Sequence, residues 1–133
     1  MHQAESAKRY QSVAIDTSPP GQLVLMLFDG ALRFMAIASA GFEEKDLAKR
    51  IETIHNNLIK AQNILRELQA TLNMEKGGEF SERMCALYDY MIAQLNEANL
   101  TKDPHSIRIV EKLLGQIRAA WAQMLAQSNS VAA

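Results

Sequence analysis

Leu47, Ile51, Ile54, Leu58, Ala61, Leu65, Leu68 and Leu72 recur at alternating spacings of four and three residues. That alternation holds eight apolar side chains on one face of a long α-helix; a strand would need a period of two. Ile107, Val110, Leu114, Ile117, Trp121 and Met124 repeat the pattern further along, and Phe80, Met84, Leu87, Met91, Leu95 and Ala98 carry it between the two. A fourth segment, Leu23 to Ala38, is apolar nearly all round, its polar stripe reduced to Gln22, Asp29 and Arg33. Punctuation falls between these runs. Ser18 and Pro19 suit an N-cap and first helical position, Gly41 a helix end, Asn73 to Gly78 a loop, and Asp103-Pro104 a second start. These signals predict helices over about 19–40, 43–72, 79–100 and 104–126. Joined by short loops, they form an all-α fold, an antiparallel up-down four-helix bundle over about 18–126. A short N-terminal cap segment over about 1–17 precedes it, and a flexible tail over about 127–133 follows.

Composition agrees. The chain has 133 residues, 48% of them hydrophobic, with a formal net charge of -1. One domain with a real core is expected at this length. Balanced charge argues against a phosphate-neutralising nucleic-acid binder, and the apolar fraction argues against disorder. Six glycines, three prolines and 6% aromatic residues point to helices rather than a sandwich or barrel. Cys85 is the single cysteine, so no intramolecular disulfide forms, which fits a reducing cytosol. The N-terminus has no apolar signal region. The Leu23–Ala38 run is interrupted by Asp29 and Arg33 and is shorter than the ~20 residues of a membrane span, so it reads as a buried helix.

The bundle seams leave apolar residues over. Leu25, Phe28 and Leu32 lie off the seam of the first helix, Ile59 and Ile64 off the second, and Cys85, Tyr88 and Ile92 form a second stripe on the third. Two readings stand. The surplus thickens the packing through diagonal contacts and a fixed N-terminal strap, or it lines a groove for an amphipathic partner helix. Tyr10, Val13 and Ile15 precede the first helix in a stretch too short to fold alone, so they would act as that strap or as a displaceable lid.

Catalytic chemistry is not evident. Glu52 and His55 have the Glu-x-x-His spacing of di-iron bundles, but Lys102 stands three residues before His105, so a second motif is missing and no metal site is expected. There is no Ser/His/Asp set, phosphate loop or Cys-x-x-Cys. No cofactor and no enzyme activity are expected. Trp121 and Cys85 read as packing residues, and Met26, Met35 and Met91 as adaptable side chains on the helices with surplus apolar area.

From Tyr10 to Trp121 the chain resembles the flagellar export chaperone family FliS. The resemblance lies in Tyr10-Gln11; in Thr17-Ser18-Pro19 followed by Leu23-Val24-Leu25-Met26-Leu27-Phe28-Asp29-Gly30-Ala31; in Lys60-Ala61-Gln62, Ile64-Leu65 and Glu67-Leu68; in Gly77-Gly78-Glu79; in Leu87-Tyr88-Asp89-Tyr90-Met91 and Ala98-Asn99; and in Leu113-Leu114 with Arg118-Ala119-Ala120-Trp121. Each piece is weak; their order and spacing are specific. Phe28 departs from the usual Tyr, and Pro20 from the usual charged residue. The resemblance implies a cytosolic helical bundle that binds the disordered C-terminal region of flagellin, prevents premature polymerisation, and docks on the membrane export gate of the flagellar type III apparatus when loaded. It also implies an N-terminal segment that gives way to flagellin. The candidate flagellin-binding residues are Tyr10, Val13, Ile15, Leu25, Phe28, Leu32, Ile59, Ile64, Tyr88 and Ile92. The alternatives are an adaptor bundle for another client and a metal-binding bundle on Glu52 and His55.

Overall fold

A computed structural model describes residues 20–132, with side chains described for 21–128. It contains four helices: α1 (Pro20–Gly41), α2 (Leu47–Ala70), α3 (Gly78–Thr101) and α4 (His105–Ala132). Backbones approach in the pairs α1–α2, α2–α3, α3–α4 and α4–α1, and neither diagonal pair does. That is the antiparallel up-down ring expected from the periodicity.

Two element boundaries differ from the sequence reading by more than two residues. Helix α2 starts at Leu47 rather than near 43. Helix α1 winds down through Phe42, Glu43 and Glu44, whose N–H groups donate to the carbonyls of Ser39, Ala40 and Gly41. Asp46 then caps α2 by accepting from the Lys49 N–H at 3.1 Å. Helix α4 runs on to Ala132, beyond the expected end at 126, because nothing after Gly115 breaks it. Helix α1 is longer than the Leu23–Ala38 run, and Gly21–Gly41 is long and apolar enough to cross a membrane by length and composition. Here it is a bundle helix: Phe28, Ala31, Met35 and Ala38 are buried against the other three.

The core consists of Leu27, Phe28, Ala31, Met35 and Ala38 from α1; Ile54, Leu58, Ala61, Leu65 and Leu68 from α2; Tyr88, Met91, Leu95 and Ala98 from α3; and Ile107, Val110 and Leu114 from α4. Small residues bring α1 and α2 together. A Cβ at Gly30 would meet Ile64 Cδ1 at 3.3 Å, and one at Gly41 would meet Thr53 Cγ2 at 3.0 Å.

A polar ladder joins α2 to α3. Gln62 is buried, and its amide donates to the Ile92 carbonyl at 3.0 Å. One heptad on, the Gln69 amide donates to the Cys85 carbonyl at 3.1 Å and to Asp89 Oδ1 at 2.8 Å. One heptad back, the Asn99 amide nitrogen lies 2.9 Å from His55 Nδ1. Each step of seven up α2 is matched by a step of seven down α3, the signature of one antiparallel register.

The α2–α3 turn depends on Gly77 and Gly78. Gly78 has φ +53, a conformation that side chains disfavour, and a Cβ on Gly77 would lie 2.6 Å from the Asn73 carbonyl oxygen and overlap Ser81 Oγ. Ser81 is buried and donates to that same carbonyl at 2.9 Å. Gly77→Ala is therefore expected to destabilise the bundle by about 2 kcal/mol or more through steric overlap. Gly115→Ala, in mid-helix with open space around it, should instead stabilise by about 0.5–1 kcal/mol. Chemical denaturation of the two variants checks both signs.

Candidate partner-binding surface

The candidate residues divide three ways. Tyr10, Val13 and Ile15 lie outside the described residues. Phe28 and Tyr88 correct the sequence reading: they are 1% and 3% exposed, core rather than outer stripe. Phe28 shares a helical line with Ala31, Met35 and Ala38, and it meets Trp121 edge-to-face at 6.3 Å. Tyr88 is buried because the inward face of α3 keeps Met91, Leu95 and Ala98 of the expected seam but takes in Ser81 and Tyr88 over its first half in place of Phe80. Ser81, Tyr88, Met91, Leu95 and Ala98 face the core, while Phe80, from the expected seam, is 63% exposed. The anchored Ser81 and the amide ladder set that rotation. Burial pushes the Tyr88 phenol up to about 12.

The remaining five are at or near the surface but share no single groove. Leu25 and Leu32, half-buried, lie on the α4-facing side of α1. There, Asp29 accepts from Arg118 Nε at 2.8 Å, and the Trp121 indole donates to the Gly21 carbonyl at 2.9 Å. Ile64, half-buried, packs on Gly30 in the α1–α2 seam. Ile59, 37% exposed, stands one turn from Gln62, and half-buried Ile92 supplies the carbonyl that Gln62 bonds. These two flank the α2–α3 seam.

Sequence reasoning missed the surface residues. Leu47 and Ile51 head the periodic stripe of α2, yet they are 58% and 45% exposed. Ile37, Phe80, Tyr90, Leu100 and Met124 are also exposed, so apolar side chains reach solvent on all four helices. Of the adaptable methionines, Met35 and Met91 are core and Met26 is half-buried. On the α1–α2 face, Phe34 lies between the Arg33 guanidinium at 5.5 Å and the Lys60 ammonium at 5.4 Å. Among the described residues no three His, Cys, Asp or Glu gather as metal ligands, and His55 faces Asn99.

The motif residues Gln62, Asn99, Asp29, Arg118 and Trp121 thus all tie one helix to another. A model of the flagellar protein FliS matches residues 2–128. The chain belongs to the FliS family. The flagellar secretion chaperone FliS of Bacillus subtilis (strain 168) is 40% identical over 116 residues, 87% of this chain and 83% of that protein. The one from Salmonella typhimurium is 40% identical over 129 residues, 93% of each chain. The one from Escherichia coli (strain K12) is 31% identical over 130 residues, 94% of this chain and 93% of its own. These FliS relatives are chaperones by name, and the bundle here has the scattered apolar surface such a role would use.

The buried phenol has a consequence at alkaline pH. Its folded pKa lies above the ordinary value of 10.0, so the folded state keeps the proton longer than the unfolded chain. The stability this contributes is complete below pH 10 and is lost as pH rises toward 12. Tyr88→Phe should flatten that loss in denaturation curves taken across the window, and should remove the highest step from an ultraviolet titration of the phenols.

Proposed function

We propose that the chain is a cytosolic flagellar export chaperone. It binds the disordered C-terminal region of flagellin, prevents premature polymerisation and delivers the subunit to the flagellar type III export apparatus, where the loaded chaperone docks on the membrane export gate. Family membership supports the class of activity. The supporting observation in the molecule is the distribution of exposed apolar residues over all four helices: Ile37 on α1, Ile59 on α2, Phe80, Tyr90 and Leu100 on α3, and Met124 on α4. A folded partner needs one contiguous patch. A segment that orders on contact can follow a discontinuous track around the bundle, and it needs apolar burial along its length to offset the ordering cost. Tyr10, Val13 and Ile15 would shield part of that track in the free chaperone, which lowers apparent affinity by the closed fraction.

Calorimetry with a synthetic peptide of the cognate flagellin C-terminal region is expected to give one-to-one binding and a negative heat-capacity change. No heat at two temperatures and micromolar concentrations would overturn the reading. Ile59→Asp should weaken the peptide about tenfold by placing a charge on the track, with the helical circular dichroism unchanged. Deleting residues through Ile15 should leave the bundle folded and the affinity equal or tighter; a marked loss would make the segment part of the site.

A further inference from the structure

At one end of the bundle, where α1 stops, α2 starts and α3 stops, lies a hollow of about 240 Å³ lined by Phe42, Leu47, Arg50, Ile51, Ile54 and Lys102. Ile54 is its buried floor, and Leu47 and Ile51 are its exposed wall. The volume falls below the ~300–1,000 Å³ of small-molecule sites and suits a protein side chain.

Its charge has a sign. Arg50 and Lys102 have no ion-pair partner among the described residues. Of the nearby carboxylates, Glu44 accepts from the Asp46 N–H, Asp46 from the Lys49 N–H, and Asp103 from the His105 N–H. Each keeps its charge while bonded to a helix-cap N–H, and none forms an ion pair with Arg50 or Lys102.

Lys102 is also held at a conformational cost. Its φ is 53, the only positive φ at a non-glycine among the described residues, at a helix C-cap where glycine would sit without strain. Its ammonium donates to Asn99 Oδ1, whose amide nitrogen faces His55. Burial lowers the Lys102 pKa, as expected of a cation lying over apolar surface. Lys102 thus lines the hollow from a strained backbone position, with its ammonium held at Asn99.

We propose that this hollow is a second peptide-docking site, which takes a large apolar side chain from a partner segment with carboxylates beside it. Leu47, Ile51 and Phe42 receive the anchor, and Arg50 and Lys102 receive the carboxylates. The site belongs to the end of the bundle and is separate from the lateral seams flanked by Ile59 and Ile92.

Amide chemical shifts of the full-length ¹⁵N-labelled chain test it against three end-blocked tetrapeptides: Asp-Phe-Leu-Glu, its uncharged form Asn-Phe-Leu-Gln, and the charge-reversed Lys-Phe-Leu-Lys. The acidic peptide is expected to shift Phe42, Leu47, Ile51 and Lys102 saturably, and the other two should bind about tenfold more weakly or worse, the effect of losing two partly exposed ion pairs. Lys102→Gly should weaken the acidic peptide while the melting temperature stays level or rises, since glycine relieves the strain. Arg50→Ala should weaken it too. Equal binding of all three peptides, no saturable shift at millimolar concentration, shifts confined to the lateral seams, or unchanged affinity in Lys102→Gly would each overturn the proposal. None of these outcomes bears on the flagellin titration.

Discussion

The register of α2 against α3 rests on side-chain amides bonded to another helix's backbone. Gln62 and Gln69 donate to the carbonyls of Ile92 and Cys85, and His55 meets Asn99 at the end of the same line. Apolar stripes alone tolerate a slip of one helical turn, because one leucine substitutes for another. A buried amide does not: left unpaired it costs about 1–3 kcal/mol. The ladder therefore selects one register, and with it the rotation of α3 that buries Tyr88 and exposes Phe80.

The other seams are closed by different means that depend on this one. Helix α1 approaches α2 at Gly30 and Gly41, where Ile64 and Thr53 fill the space a side chain would need. Helix α4 is tied to α1 by the Trp121 indole on the Gly21 carbonyl and by the Arg118–Asp29 pair. The exposed ion pair positions more than it stabilises, since solvent screens it. Because the seams close through backbone approach and polar ties, the core does not need every apolar residue. The surplus reaches solvent on each helix.

Much of the fold was legible in the chain. The spacing of Leu58, Ala61, Leu65 and Leu68 identified α2, and all four are buried. Asp103 was read as a start signal, and its carboxylate accepts from the His105 N–H at 2.9 Å. The candidate surface was less legible. The period of each helix taken alone puts Phe28 and Tyr88 outside, whereas phase in a bundle is set by neighbours. Periodicity puts Leu47 and Ile51 inside, because it records which face a residue is on and not whether the neighbouring helix is long enough to cover it. A partial signal existed for the ladder: Gln62 and Gln69 are polar residues seven apart beside an apolar stripe. Only the facing carbonyls show what they bond.

Local chemistry in the sequence determined four helices, their approximate ends and the family, because period, caps and breakers act within one or two turns. Tertiary structure decided which side of each helix is core, where apolar surface remains, and that Lys102 lines a hollow where α1 and α3 end and α2 starts. Those outcomes depend on helix rotation, axial register and relative length. They are properties of pairs of helices, and no single segment of the chain carries them.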